Sequence, residues 1–278
     1  MSFRSIFLVL LVPLLISCSS MAARQLTGNL ATSMLNQDDP DTVRAAIPAY
    51  LLLLDGMIRD DPDDPQLLIS AAQLYGAFAA GLVEDAERSQ RLSEHAKTYA
   101  KQALCIELDD LCVAEANDFG RFTLTLAQVE SSDLPVLYAY ATSCANWIKN
   151  NSGDWNALAQ LPRVEAMLQR IIELEPGYAR GRAQLYLAVL RSQLPASLGG
   201  KPESGRQHFD LALQYSAGRD LMAKVEYART YARLVFDQKL HDRLLQEVAE
   251  ADPVEPNLTL SNILAQQKAK ELLNDNYF

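Results

Sequence analysis

Met57-Ile58-Arg59-Asp60-Asp61-Pro62 ends a stretch of helical periodicity, and the same ending returns at Ile171-Ile172-Glu173-Leu174-Glu175-Pro176 and Val248-Ala249-Glu250-Ala251-Asp252-Pro253. Apolar residues stand five and eight positions before each proline: Met57 and Leu54, Ile171 and Leu168, Val248 and Leu245. Positions three apart share a helix face, and proline stops the helix because it lacks an N–H and clashes with the preceding turn. This is the pattern of the second helix of a tetratricopeptide (TPR) repeat, whose apolar face packs on a partner helix. The three prolines are not spaced by multiples of the ~34-residue repeat, so the array is degenerate and TPR-like rather than regular.

Working outward, residues 41–60 place Val43, Ile47, Tyr50, Leu51, Leu54, Met57 and Ile58 on one face, and residues 64–82 do the same with Leu67, Leu68, Ala71, Leu74, Tyr75 and Phe78. The second of these is rich in small residues, which lets neighbouring helices approach closely. Further helices are predicted over 86–107, 113–130, 134–149, 154–160, 162–174, 178–193, 203–216, 220–236, 238–250 and 259–274, divided by short Asp, Pro and Gly punctuation. Strand alternation is absent, and short connections imply antiparallel neighbours. The expected fold is all-α: TPR-like antiparallel helix pairs forming a compact helical array over 41–278.

The N-terminus reads as a lipoprotein signal. Arg4 precedes an apolar run from Ile6 to Ile16, which is too short for the ~20 residues of a membrane span, and Leu15-Ile16-Ser17 leads into Cys18. Residues 1–17 are expected to be removed, Cys18 to carry the acyl chains, and residues 18–40 to form the lipidated N-terminus, tether and first helix. Ser19, where an aspartate would signal inner-membrane retention, favours the periplasmic face of the outer membrane. The net charge of −10 argues against nucleic acid and against docking on an anionic membrane surface. In an oxidising compartment Cys105 and Cys112, seven apart around an acidic turn, form the natural disulfide pair, leaving Cys144 as a small buried hydrophobe.

Catalytic chemistry has little support. His95, His208 and His241 fall on different predicted helices without metal-ligand spacing, so no metal site and no cofactor are expected. Leu198-Gly199-Gly200-Lys201-Pro202 lacks the remaining positions of a P-loop and reads better as a turn, with Pro195 ending one helix and Pro202 opening the next. Neither a Gly-x-Ser-x-Gly elbow nor a His-Glu-x-x-His pair occurs, and no catalytic residue is assigned. The one stripe with binding character lies on 220–236, where Leu221, Val225, Ala228, Ala232, Val235 and Phe236 form an apolar face. Lys224, Tyr227 and Tyr231 run beside it at i, i+3 and i+7, suited to a carboxylate-bearing apolar ligand, while tyrosines packed between helices are the plainer alternative.

The C-terminal third carries a resemblance. Leu194-Pro195-Ala196-Ser197-Leu198-Gly199-Gly200-Lys201-Pro202-Glu203, then His208-Phe209-Asp210-Leu211-Ala212, Lys224-Val225-Glu226-Tyr227-Ala228, Tyr231-Ala232-Arg233, Leu240-His241-Asp242, Leu260-Ser261-Asn262-Ile263-Leu264-Ala265-Gln266 and Tyr277-Phe278 together resemble the TRAP-transporter T-component (TatT) family of periplasmic lipoproteins. Ile47-Pro48-Ala49-Tyr50, Trp147-Ile148 and Trp155-Asn156-Ala157-Leu158 extend the likeness, and 105–135 is the least similar stretch. The resemblance implies a TPR-like fold, a homotrimer with an apolar-lined channel or cavity in each subunit, a TRAP periplasmic solute-binding receptor as partner, and no catalytic residues. The expected function is a lipid-anchored accessory subunit of a TRAP-type solute uptake system that docks the receptor and holds or passes an organic, partly apolar ligand. The alternative is an outer-membrane TPR-like scaffold for envelope protein assembly with no small-molecule role.

Overall fold

A computed structural model describes residues 28–275 and 277–278, which are helical almost throughout and contain no strand. A short helix over 28–35 (α1) leads into α2, Pro40–Asp60, and α3, Pro65–Gly81. Both α2 and α3 begin with an aspartate whose side chain accepts from the first-turn amides, Asp39 from Asp41 N and Asp64 from Gln66 N and Leu67 N, followed at once by proline. That order satisfies amides with no partner inside the helix and places proline where its missing N–H costs nothing. The buried face of α2 is Val43, Ile47, Tyr50, Leu51, Leu54 and Ile58, as its periodicity requires.

Helix α4, Ala86–Glu107, buries Ser89, Ser93, Ala96, Ala100 and Ala103, a stripe of small side chains at helical spacing. It meets an equally small face of α3, where a Cβ on Gly76 would stand 3.8 Å from Ala96 Cβ and 3.6 Å from Asn146 Nδ2. The backbones therefore approach closely with little side-chain ordering to oppose it. Next come α5, Asp109–Glu115, and α6, Phe119–Leu126, where the sequence predicted one helix over 113–130. The break has a local cause: Asp118 accepts from Arg121 N and starts a new helix, while Asn117 Nδ2 donates to Val113 O and closes the old one. Cys105 and Cys112 face each other across the α4–α5 junction with Cα atoms 4.9 Å apart and their sulfurs joined. An eight-residue closed loop stabilises by about 2.5 kcal/mol in the chain-entropy model. Cys105→Ser with Cys112→Ser should lower unfolding free energy by about that much in denaturant titration, and an unchanged midpoint in exported protein would show that the thiols are not bridged there.

Helices α7, Leu134–Asn150, α8, Trp155–Leu158, and α9, Leu161–Leu174, complete the first apolar cluster with α2–α6. Helix α10, Tyr178–Arg191, contributes to this cluster through Ala183 and to a second one through Leu185 and Ala188. The second cluster is built by α11, Pro202–Tyr215, α12, Leu221–Glu226, which runs on into a π-helical segment Tyr227–Ala232, α13, Gln238–Glu250, and α14, Thr259–Leu273. Gly199 (φ +85°) takes the left-handed turn ahead of α11, and a Cβ on Gly200 would lie 1.8 Å from Leu194 O, so the Gly-Gly pair is a turn built by close backbone approach.

The apolar face predicted for 220–236 is only partly present. Leu221, Val225, Ala228 and Ala232 are buried, but Val235 and Phe236 are 39% and 77% exposed. A π turn takes one more residue than an α turn, so everything after it is rotated away from its 100°-per-residue position. The chain then leaves the helix, with Phe236 at φ +56° and Asp237 N bonded to Ala232 O. Glu226 and Arg229, three apart on this helix, form an ion pair in a half-buried setting.

Candidate functional site

The π segment sets the geometry of the Lys224-Tyr227-Tyr231 stripe. Tyr227 stacks on Phe209 of α11 with centroids 4.6 Å apart and rings within 5° of parallel, and Tyr231 meets Tyr227 edge-on at 5.6 Å. Both tyrosines line a cleft of about 380 Å³ between α11, the π-helical segment and α13, together with Arg206, Asp210, Arg243 and Glu247. Its polar groups are largely engaged with one another. Lys224 Nζ donates to Glu247 Oε2 at 2.7 Å, Arg243 donates to Glu247 Oε1 at 2.9 Å, Tyr227 OH to Asp210 at 3.3 Å and Tyr231 OH to Glu203 at 3.0 Å. Hydrogen bonding to Lys224 holds the Glu247 carboxyl below its usual range, while burial and then Asp210 push the Tyr227 phenol up. Tyr227 and Tyr231 share the cleft, whereas Lys224 is not among its lining residues and its ammonium neutralises Glu247.

A second constellation lies deeper, between α7, α10, α12 and α14. The backbone enters α10 through three consecutive left-handed residues, Ala179 (φ +51°), Arg180 (φ +59°) and Gly181 (φ +81°). Left-handed conformations cost about 1–2 kcal/mol for each residue bearing a Cβ, and such strain persists where packing enforces it. Gly181 is needed on two counts, since a Cβ there would also stand 2.9 Å from Tyr215 Cβ and 3.2 Å from Ala212 Cα. This turn points Arg180 at Glu255 (2.9 Å) and sets Arg182 against Asp220, with Nε 2.9 Å from Oδ2 and Nη2 3.3 Å from Ser261 Oγ.

Asp220 is 2% exposed and opens α12, held in place because Asn262 accepts from Leu221 N and donates to Arg219 O. Tyr138 and Tyr186 lie near Arg182, and Tyr138 of α7 meets Tyr178 edge-on at 5.3 Å and Tyr186 at 6.5 Å. Burial pushes all three phenols upward, and although burial alone would lower the Arg182 guanidinium, Asp220 keeps it above its ordinary value. Arg182, Tyr138 and Tyr186 are surrounded by protein and yet none is closed off: Arg182 keeps 35% of its side-chain surface open, and both tyrosines are only half-buried by surface. Sequence reasoning missed Arg182; the available signal was Gly177-Tyr178-Ala179-Arg180-Gly181-Arg182, two glycines four apart where a helix was expected to begin.

The remaining sequence candidates are dispersed. Cys18 and the signal lie outside the described residues, and Cys144 is a free, buried thiol whose pKa burial pushes up to about 12. His95 stacks on Tyr75, His241 is buried beside Asp242 and Arg233, and no cluster of metal-ligating side chains occurs among the described residues. His208 is wedged between Arg191, which donates to Nε2 at 2.7 Å, and Gln184 Oε1, which takes the Nδ1 proton at 2.6 Å. Burial, with Arg191 adding to it, pushes its pKa down to about 4. A histidine that protonates more readily unfolded than folded contributes stability fully above about pH 6.5 and loses it as the pH falls toward the folded value. Melting temperature should therefore drop between about pH 6.5 and 4, and His208→Gln should flatten that portion of the curve; an identical slope in the variant would remove His208 from this role.

The described residues form a helical array with an aromatic-lined cleft between α11, the π-helical segment and α13. The TRAP transporter T-component family matches residues 36–278, and the chain belongs to that family, an accessory component of a solute transport system. No curated protein matches the chain. No helix of the described residues is long and apolar enough to cross a membrane.

Proposed function

We propose that the chain is a lipid-anchored periplasmic subunit of a TRAP-type uptake system that docks the solute-binding receptor and holds or passes an organic, partly apolar ligand. Membership of the T-component family across residues 36–278 carries this reading. The cleft lined by Tyr227 and Tyr231 supports it, since ligand sites are concave and fitted with a few placed polar groups. Assembly as a homotrimer fits α2, whose outer face leaves Ala45, Ala46, Ala49, Leu52 and Leu53 exposed without a charged residue between Arg44 and Asp55. Exposed apolar surface of this kind marks a protein interface. The anchor is assigned to Cys18, facing the periplasm from the outer membrane.

Receptor docking is tested by native mass spectrometry of the protein with a TRAP solute-binding receptor from the same organism, expecting trimer and receptor complex. Absence of any complex at micromolar concentrations, with the trimer intact, would return the protein to the scaffold alternative. For the anchor, Cys18→Ser should abolish fatty-acid labelling and release a folded protein from the membrane fraction. Equal labelling of the serine variant would place the lipid elsewhere.

A further inference from the structure

We infer that the cleft at Tyr227 and Tyr231 is a site for a zwitterion, an amino-acid-like molecule whose carboxylate meets Arg206, whose ammonium meets Asp210, and whose apolar side chain lies on the tyrosine floor. This deepens the reading of a ligand-holding subunit and rests on it. The cleft, at about 380 Å³, falls in the size range of small-molecule sites. Its floor is buried, with Tyr227, Tyr231 and Leu244 all closed to solvent, and Leu213 of α11 and Leu240 of α13 continue the apolar surface up the two walls. Both phenols are already spent on carboxylates, Tyr227 on Asp210 and Tyr231 on Glu203, which lies outside the lining residues. The floor therefore offers ring surface rather than free donors, and such surface suits an apolar side chain.

The charges stand at the rim in both signs. Arg206 and Asp210 are exposed, four apart on α11, and neither forms an ion pair with a described residue. Arg206 stands at the Tyr231 hydroxyl and Asp210 at that of Tyr227, so one free charge of each sign is set about 6 Å apart along the wall by a single turn of helix. The facing wall is compensated. Glu247 accepts from Lys224 at 2.7 Å and from Arg243 at 2.9 Å, and Asp237 is spent on the N-terminus of α13, where it accepts from Leu240 N. Among the lining residues and the Lys224 paired to one of them, Arg206, Arg243 and Lys224 balance Asp210, Asp237 and Glu247. An ion of either sign would bring net charge into this balanced cleft. A zwitterion brings none and answers each free group with its opposite, the guanidinium fork matching a carboxylate. Because both free groups are at the rim, they set selectivity while the tyrosine floor supplies the buried area.

Isothermal titration calorimetry on the mature lipoprotein in lipid nanodiscs, with empty discs as blank, tests this with three matched probes. L-phenylalanine carries both charges, 3-phenylpropionate lacks the ammonium, and 2-phenylethylamine lacks the carboxylate. The zwitterion should bind about ten-fold more tightly than either, the effect of one hydrogen bond to a charged group. Arg206→Met should weaken L-phenylalanine to the level of the amine without weakening the amine itself. Asp210→Asn, which can still accept from Tyr227, should weaken it to the level of 3-phenylpropionate without weakening that probe. Arg91→Gln, on the exposed face of α4, should leave all three affinities unchanged. Equal affinity for the three probes, failure of every probe to bind, or survival of the full preference in folded Arg206→Met and Asp210→Asn proteins would each overturn the inference. A receptor complex that forms normally while the preference is absent would sink this inference alone; loss of the complex would sink the reading beneath it.

Discussion

Phe209→Ala should lower the unfolding free energy by about 3–5 kcal/mol, the range for removing a fully buried aromatic side chain from a packed core. Phe209 has no exposed surface and sits in the second apolar cluster, where its ring lies flat on Tyr227. The loss combines transfer of the ring to water, the cavity left behind, and a stacked contact worth about 1 kcal/mol. In a chain of this size it should appear as a fall in melting temperature of roughly 10 °C. Tyr227 would keep its bond to Asp210 but lose the surface that orients it, so the cleft should loosen as well. A change below about 1 kcal/mol in denaturant titration would mean that the cluster refills the space.

Gly205→Val should cost about 3 kcal/mol, at the upper end for overpacking. Gly205 lies on α11 where that helix crosses α10, and a Cβ there would meet Ser192 Oγ at 2.2 Å and Ala188 O at 3.0 Å. The serine can turn away, but the backbone carbonyl cannot. A valine gains up to about 0.5 kcal/mol of helix propensity over glycine, too little to offset the clash. Ser192→Gly in the same chain should recover part of the loss, because Ser192 Oγ is buried without a partner and its removal opens the space. Additive effects of the two substitutions in a double-mutant cycle would show that they are not in contact.

Most of the helices could be read in the sequence because their starts and stops are chemical. Asp-Pro at 39–40 and 64–65, and Pro at 62, 176 and 253, mark ends that the hydrogen bonds reproduce, and the buried face of α2 follows from periodicity alone. The break at 116–118 was hidden because Asn117 and Asp118 interrupt an otherwise helical apolar pattern without proline or glycine. The π segment was hidden more deeply: Tyr227–Ala232 has ordinary helical composition, and its contacts with Phe209 come from a helix distant in sequence. The site was half legible. Tyr227 and Tyr231 were recognisable from their spacing, but the partner that occupies Lys224 comes from α13, and Arg182 draws Asp220 from 38 residues away. Contacts between helices distant in sequence leave no periodic trace.

The π segment accommodates one residue more than the α-helical turn it replaces, inside a helix and not in a loop. A relative lacking one residue between 227 and 232 would regain a regular helix, and alignment through this stretch would require a gap where no loop exists. In such a relative the positions corresponding to Val235 and Phe236 would turn back toward the interior, and the residues there should be judged by that register and not by their place in the alignment.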